Sequence, residues 1–374
     1  MKKIAFIEST CQNTKNGGYS GVGYYRIIKP AQYLKNDYNI TVYGKDIVDL
    51  GNTNEEMYLN LFNNHDLVIT KAVDSPRAAG AMAFFSDYTK TPYVVDLDDN
   101  YFEVRKDQPG YKHYYPGSNK RAIFAAYLGA SAGIICSTRP LAKSYKDYMK
   151  KVYGWDKPVF VAPNFNDLTD FDFKPAKKKK DKVIIGWQGS TTHISDLNFV
   201  LPALENILKR NQNVRFEILG ALENEQAAEV FKDWDKGVLN KVSIGAGTQS
   251  WAGYPELLSK QAWDIGIAPL IDDEFNRGKS HIKWMEYADY KIPCVASKVY
   301  PYFMPVEKTE TIRHGETGFL CSTVKEWEEN LQAWIDNIQL RHTIGENAYN
   351  FVRDNWQADK QIRLYKKAID SFLK

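Results

Sequence analysis

Short apolar segments alternate with amphipathic ones along the first 163 residues. The apolar segments are KIAFIES, ITVYG, DLVITK, PYVVDLDD, AGIICS and PVFVAP, and they are rich in residues that favour β-strands. Stretches with helical spacing separate them, including residues 24–35, 76–88 and 139–153. Uniformly apolar strands between helices are typical of a parallel sheet that is covered on both faces. This part of the chain is therefore predicted to form a doubly wound α/β domain.

The alternation starts again after residues 164–182, a polar stretch without periodicity that contains the lysine run Lys177 to Lys180. The strand-like segments there are VIIGWQGS, VRFEILG, KVSIGA, WDIGIAPL, IPCVAS and GFLCS, and helices are predicted near residues 195–209 and 224–234. We therefore predict two Rossmann-like doubly wound domains that face each other across a cleft. The predicted parts are residues 1–163, a linker at 164–182, a second domain at 183–355, and a C-terminal helix at 356–374 that packs back on the first domain.

Composition narrows the class of protein without naming an activity. The 374 residues are 44% hydrophobic and 25% charged, which is ordinary for a globular chain, and the formal net charge of +3 argues against a strong nucleic-acid binder. The sequence contains no run of about 18 apolar residues, so no transmembrane helix is predicted. The four cysteines, Cys11, Cys136, Cys294 and Cys321, form no CxxC pair, which favours a reducing cytoplasm. We expect a cytoplasmic protein, at most peripheral to a membrane.

The segment FNRGKSHIKWMEYADYKIPCVAS, residues 275–297, contains candidate anion-binding chemistry. Its GKS triplet is no Walker A loop, because Asp273 stands where that loop needs its first glycine. Ser280 is a suitable N-cap, and the free amides of the helix that it would begin, with Lys279 beside them, favour an anion. Glu286 lies about 9 Å further along such a helix. A nucleoside diphosphate would then place phosphate at the helix start and ribose on Glu286; the alternative is a capped surface helix.

Further candidates lie in loops that follow predicted strands. In GWQGSTTHISD, the backbone and hydroxyl groups of Gly189, Ser190 and Thr191 could hold a diphosphate. His193, in the same loop, is either a ligand contact or a capping residue. Asp98 and Asp99 end VVDLDD and could bind a cation, contact a sugar or cap the next loop. The remaining candidates for the cleft or for an acceptor are Gly21, Gly23, Arg26 and His113.

Several segments, in order, resemble one enzyme family. KSHIKWMEYADYKIPCVAS resembles the donor-binding helix of retaining GT-B glycosyltransferases, particularly glycosyltransferase family 4. IRHGETGFLCS resembles the turn and strand that follow it, and LRHTIGENAYNFVRDNW resembles the terminal helices. VIIGWQGSTTHISDLNFVLPAL resembles the first strand and loop of the nucleotide domain, and GGYSGVGYYRIIKPAQYL the Gly-rich loop near the N-terminus. Together the C-terminal segments cover most of residues 183–356.

The resemblance implies transfer of a sugar from a nucleotide-sugar donor to an acceptor hydroxyl, with retention at the anomeric carbon. It implies no cofactor beyond the donor and no bound metal. The donor-binding residues would be Gly189, Ser190, Thr191, Arg277, Gly278, Lys279, Ser280, Lys283 and Glu286. No catalytic residue is assigned; Asp98, Asp99 and Lys279 are the candidates.

The sequence departs from the family at two places. The paired glutamates of the family are separated by seven residues, and Gly278 stands where the first is expected, so Asp273 or Glu274 would have to reach the transferred sugar. The loop after the first strand of the second domain also lacks the usual Arg and Lys, so Lys279 and Arg277 would supply the positive charge. Open alternatives are a nucleotide-sugar epimerase of the same fold and a non-catalytic two-domain ligand-binding protein. The acceptor is a glycan, a lipid-linked sugar, a protein or a modified base in DNA.

Overall fold

The computed structural model describes residues 1–8, 18–44, 47, 54–73, 75–177, 181–220, 229–248 and 250–374. Cys11, Lys178 to Lys180 and residues 224–228 of a predicted helix lie outside these residues. The described chain contains two parallel six-stranded sheets, ordered β2-β1-β3-β4-β5-β6 and β12-β11-β10-β7-β8-β9. The strands are β1 Lys3–Ile7, β2 Asn39–Tyr43, β3 Leu67–Thr70, β4 Tyr93–Leu97, β5 Gly133–Cys136, β6 Val159–Val161, β7 Val183–Gly189, β8 Val214–Gly220, β9 Val242–Ala246, β10 Ile265–Ala268, β11 Cys294–Ser297 and β12 Phe319–Cys321.

Helices connect the strands and cover both sheets. The first stretch begins with α1 Gly21–Gly23, passes through a π-helical segment, Tyr24–Ile28, and ends with α2 Lys29–Tyr33. Short 3₁₀ segments lie at Leu168–Phe171, Thr191–His193 and Trp251–Gly253. The other described helices are α3 Glu55–Asn63, α4 Pro76–Thr89, α5 Tyr111–Tyr114, α6 Asn119–Ala130, α7 Arg139–Tyr153, α8 Ile194–Arg210, α9 Lys236–Leu239, α10 Tyr254–Ser259, α11 Glu274–Arg277, α12 Ile282–Asp289, α13 Tyr300–Phe303, α14 Val324–Asp336, α15 Ile338–Asn355 and α16 Ala358–Phe372.

Burial explains why the central strands consist mostly of apolar residues. Every residue of β3, β4, β5, β10 and β11 is buried, as expected for strands with helices on both faces. The edge strands β2 and β9 are largely exposed instead. The predicted fold class, two doubly wound α/β domains, is confirmed.

The chain crosses between the domains at two adjacent places. Asn166, just after the first sheet, forms a parallel bridge with Gln357, and its amide donates to the carbonyl oxygen of Trp356 at 2.7 Å. Helix α16 then packs against the first domain, where the Tyr365 hydroxyl donates to Asp96 at 2.6 Å. The described chain therefore begins and ends on the same domain.

None of the described helices combines the length and the hydrophobicity needed to cross a membrane.

Candidate active site

A cavity of about 670 Å³ lies in the cleft between the two sheets, at the carboxyl ends of their strands. The first domain lines it with residues that follow β1 and β4, and the second with residues that follow β7, β8, β9 and β10. This is where doubly wound sheets bind ligands. The first domain contributes Ser20, Gly21, Val22, Tyr25, Asp98 and Asp99. Among the residues from the second domain are Gln188, Gly189, Ser190, Thr192, His193, Gly220, Gly247, Trp251, Tyr254, Lys279, Ser280, Lys283 and Glu286.

The segment predicted to bind an anion lies on the wall of this cavity, but its helix begins later than predicted. The N-cap of α12 is His281 and not Ser280. The physical reason is that Asp273 caps the preceding short helix α11, accepting from the Asn276 amide at 2.8 Å, so that the chain turns before α12. The Ser280 hydroxyl instead accepts from the Asn164 side chain at 3.0 Å.

Glu286 is buried on the cavity wall and holds three hydrogen-bond donors. The Tyr25 hydroxyl, from the opposite domain, donates to Oε1 at 3.1 Å. The Tyr254 hydroxyl at 2.8 Å and the Gln188 amide at 2.9 Å donate to Oε2. Burial raises the pKa of Glu286 to about 7 despite these donors. A carboxylate has about four acceptor positions, so a ribose hydroxyl would take the remaining one or displace Tyr25.

Lys279 joins the domains through an ion pair with Asp99. Its ammonium nitrogen lies 2.9 Å from Asp99 Oδ1 and 4.6 Å from the centroid of the Phe275 ring. Burial acts to raise the pKa of Asp99, but the charge and the hydrogen bond of Lys279 outweigh it and lower that pKa. Burial, together with the negative charges of Asp99 and Asp96, raises the pKa of the neighbouring Asp98 to about 6, although Lys71 and Arg26 act in the opposite direction.

Lys283 lies on the same wall without an ion-pair or hydrogen-bond partner in the described part of the chain. Burial, followed by the charge of Lys279, lowers its pKa to about 8. Two neighbouring cations, of which Lys283 has no partner among the described residues, make this end of the cavity suitable for an anion with more than one negative charge.

The end of β7 and the loop after it contribute backbone and hydroxyl groups. Gly189 and Ser190 line the cavity, and the Ser190 hydroxyl lies 2.7 Å from that of Thr192. A side chain at Gly189 would collide with the Trp187 ring, which is buried beneath it in the core. The predicted contact Thr191 is not part of the wall, because it opens the 3₁₀ turn Thr191–His193; Thr192 takes that place.

His193 and Asp196 form a pair that the sequence did not single out as a unit. His193 lines the cavity, and its Nδ1 lies 2.9 Å from Asp196 Oδ2. Asp196 is fully buried and also accepts from Arg105 at 3.3 Å, which reaches it from the first domain. The spacing His-x-x-Asp at a helix start was the available signal, because residues three apart on a helix are neighbours.

The structure contradicts the cleft-facing prediction for Arg26. Its guanidinium is fully buried, with Nε 2.6 Å from Asp96 Oδ1. It also donates to the Ala162 carbonyl at 2.7 Å and to the Asn164 side chain at 2.9 Å. Buried charges require such pairing, and the acidic partner at the end of β4 holds the side chain inside the domain.

Four further predicted residues lie away from the wall. Gly23 packs against the carboxyl group of Glu8, which leaves no room for a side chain. Arg277 is partly exposed and paired with Asp272 and Glu274 on its own side of the loop. The other two are Gly278, whose carbonyl accepts from Thr138 of the first domain at 2.7 Å, and His113, which is exposed on α5. Of the glycines predicted for the first loop, only Gly21 lines the cavity.

Comparisons with known proteins agree with this architecture. Residues 169–351 match the family model "Glycosyl transferases group 1". A comparison with curated protein sequences found no match.

Solved structures with the same fold share little sequence with the chain. An alpha-glucosyltransferase (AGT) in complex with UDP is 14% identical, with 100% of both chains covered and a TM-score of 0.69. HepE of Anabaena in complex with UDP-glucose is 14% identical, with 99% of this chain and 100% of that chain covered and a TM-score of 0.65. The G117R mutant of S. aureus TarM, in complex with Fondaparinux, alpha-GlcNAc-glycerol and UDP, is 14% identical, with 85% of this chain covered and a TM-score of 0.59. The present chain spans 58% of the length of that TarM chain.

Proposed function

We propose, from the match of residues 169–351 to the group 1 glycosyl transferases, that the chain transfers a sugar from a nucleotide-sugar donor to an acceptor hydroxyl. We propose a UDP-sugar as the donor. The structures of HepE, AGT and TarM, which share the GT-B fold, are of complexes with UDP or UDP-glucose. The donor is the second substrate of the reaction and not a resident cofactor.

One observation carries this proposal: a single cavity is lined by two adjacent lysines and, one helical turn further along, by a buried carboxylate. Lys279 and Lys283 suit a diphosphate, and Glu286 suits a sugar hydroxyl. Residues 283 and 286 lie about 4.5 Å apart along the axis of α12, at 1.5 Å per residue. In this arrangement the pyrophosphate lies near Lys279, Ser280 and the loop at Ser190, and the ribose lies towards Glu286.

The chemistry that the site has to supply is stabilisation of a leaving group. Breaking the bond between the anomeric carbon and the phosphate oxygen leaves negative charge on the diphosphate. Lys279 and Lys283 supply positive charge, and Ser190 and the backbone at Gly189 supply hydrogen bonds. We propose that these groups suffice without a metal ion.

The acceptor would enter from the first domain, which contributes Asp98, Asp99 and the segment Ser20–Val22 to the opposite wall. Retention of anomeric configuration follows if the acceptor attacks from the face that the diphosphate leaves. Asp98 is the carboxyl group available to take up the acceptor proton, because its pKa of about 6 leaves it mostly ionised at neutral pH. A cytoplasmic location, at most peripheral to a membrane, and the chemical class of the acceptor stay predictions.

Lys283→Met tests the site most directly, because its ammonium group has no partner among the described residues whose loss would disturb the fold. UDP affinity is measured by calorimetry for the wild type, Lys283→Met and the exposed control Lys298→Met. A charge-assisted hydrogen bond contributes about 1.5–3 kcal/mol, so Lys283→Met should bind UDP roughly 10- to 100-fold more weakly. Equal affinity in Lys283→Met and the control would contradict the site.

The same protein, incubated with UDP-sugars and acceptors, separates the functional alternatives. A glycosylated product supports transfer, and its anomeric configuration tests retention. An isomerised free sugar would point to an epimerase. Tight UDP binding without turnover on glycan, lipid-linked, protein or DNA acceptors would favour a ligand-binding protein.

A further inference from the structure

His193 is the one histidine on the described cavity wall, and one of its two ring nitrogens is already hydrogen-bonded within the protein. The side chain is 13% exposed, and Nδ1 is hydrogen-bonded to Asp196. No hydrogen bond to Nε2 occurs among the described residues. The imidazole is therefore held in one orientation, with its second nitrogen available to a ligand.

The surroundings of Asp196 stabilise its ionised form. Its Oδ1 accepts from the side-chain amide of Asn276 at 2.7 Å and from the backbone amide of Ile271 at 3.0 Å. Arg105 adds a guanidinium at 3.3 Å. Although burial acts in the opposite direction, these donors and His193 lower the pKa of Asp196. An ionised carboxylate only accepts hydrogen bonds, so His193 Nδ1 carries a proton and donates it to Asp196.

The charges that face His193 are of both signs. Asp196 and, across the cleft, Asp99 favour an imidazolium, whereas Lys279 and Lys283 oppose it. Burial, then Lys283 and Lys279, lower the pKa of His193 to about 3, so the imidazole of the free protein is neutral at pH 7. The two lysines that oppose the proton are also the two that the proposed function places on the diphosphate.

We propose that His193 is a catalytic residue: it takes up a proton when the diphosphate of the donor binds beside Lys279 and Lys283, and its Nε2–H then donates a hydrogen bond to the leaving phosphate. This inference rests on the proposed function. Lys279, Lys283 and protonated His193 would then be three cationic groups in contact with the diphosphate. They would compensate for the Arg and Lys that the loop after β7 lacks and that are usual in the family that the sequence resembles. Asp196 holds the imidazolium in place, as a positioning residue.

The sign of the electrostatic field explains why the proton arrives with the ligand. A diphosphate carries two or three negative charges and neutralises the two lysines that repel a proton on His193. Asp196 then remains as an anion in direct contact with the ring. Charge that develops on the phosphate during bond cleavage is stabilised by a donor that is already oriented, which is the arrangement that lowers an activation barrier.

Proton uptake on UDP binding tests the inference without a turnover assay. Calorimetric titrations of UDP in two buffers with different ionisation enthalpies give the number of protons taken up. We expect the wild type at pH 6 to take up measurably more protons than His193→Gln, whose amide still donates a hydrogen bond but cannot be protonated. His113→Gln, an exposed histidine outside the cavity, should behave like the wild type.

A second measurement uses the unchanged protein. The ¹⁵N chemical shifts of the His193 ring, assigned by their loss in His193→Gln, should move to imidazolium values when UDP is added. The rate of sugar transfer at saturating donor should fall about 100-fold in His193→Gln, as expected for loss of one oriented charge.

The outcomes separate the two proposals. Failure of the wild type to bind UDP would overturn the proposed function. UDP binding with the same proton number in the wild type and in His193→Gln, and with ring shifts of a neutral imidazole, would overturn the role of His193 alone.

Discussion

Glu286→Gln should strengthen the fold and weaken donor binding at the same time. The substitution keeps the shape of the side chain and removes its charge. In the wild type the side chain is 3% exposed and is surrounded by the hydroxyls of Tyr25 and Tyr254 and the amide of Gln188. Both hydroxyls can reverse their roles and accept from the new amide, so a neutral residue fits the same surroundings.

The size of the effect follows from the pKa. Burial raises the pKa of Glu286 from 4.5 to about 7, which corresponds to ~3 kcal/mol of folding free energy lost when the group is ionised. Between these values the folded chain holds a proton that the unfolded chain releases, so stability falls as the pH rises from 4.5 to 7. The uncharged side chain in Glu286→Gln does not lose this folding free energy at high pH. After about 1 kcal/mol is subtracted for a weaker hydrogen bond, a gain of about 2 kcal/mol is expected at pH 8.

Urea unfolding at pH 5 and pH 8, followed by tryptophan fluorescence, measures the gain. We expect the two proteins to differ by less than about 1 kcal/mol at pH 5 and by about 2 kcal/mol at pH 8. The matched control is Glu256→Gln, an exposed glutamate on α10 that should show no pH-dependent difference. UDP titrations on the same samples should show roughly 10- to 100-fold weaker binding for Glu286→Gln alone.

Two results would refute the reasoning. If Glu286→Gln is destabilised equally at both pH values, the carboxylate is a structural anchor and its ionisation is not opposed by burial. If UDP affinity is unchanged, Glu286 does not contact the donor.

Two further predictions concern the framework that positions the cavity. Arg26→Ala leaves the buried Asp96 without its ion-pair partner and should destabilise the first domain by about 3–5 kcal/mol in urea unfolding. The control Arg210→Ala breaks an exposed ion pair and should change the free energy of unfolding by less than about 1 kcal/mol. Similar values for the two variants would contradict a buried, paired Arg26. Gly220→Ala should lower the melting temperature by several degrees, because Gly220 has φ +149° and a Cβ there would collide with the Gly189 carbonyl. The control Gly80→Ala, with open space around a helical glycine, should raise stability by up to about 1 kcal/mol, and loss of stability there equal to that of Gly220→Ala would argue against the collision.

Sequence periodicity predicted the fold well, because the fold depends on local pattern. GIIC and the first three residues of LVIT are apolar, and the strands that they form, β5 and β3, are buried at every position. The restart of the pattern after residues 164–182 marked the second sheet. The cap at Ser280 was mispredicted, since the local pattern did not show that Asp273 would start a separate turn of helix eight residues ahead of His281.

Contacts between distant residues were beyond the reach of the sequence. Tyr25 and Glu286 are 261 positions apart, and Arg105 and Asp196 are 91 apart, yet each pair meets across the cleft. Arg26 shows the same limit in reverse. Its place in a Gly-rich segment suggested that its side chain faces the cleft, and only the tertiary structure shows that the side chain pairs with Asp96.

The two adjacent crossings near Asn166 and Gln357 restrict how the sheets can move relative to each other. Because both connections pass through one small region, we expect an opening of the cleft to pivot on an axis through it. The rim of the cleft furthest from that axis travels most during such a rotation. A crosslink placed at the rim would therefore lock the molecule, whereas one placed beside Asn166 would leave it free to turn.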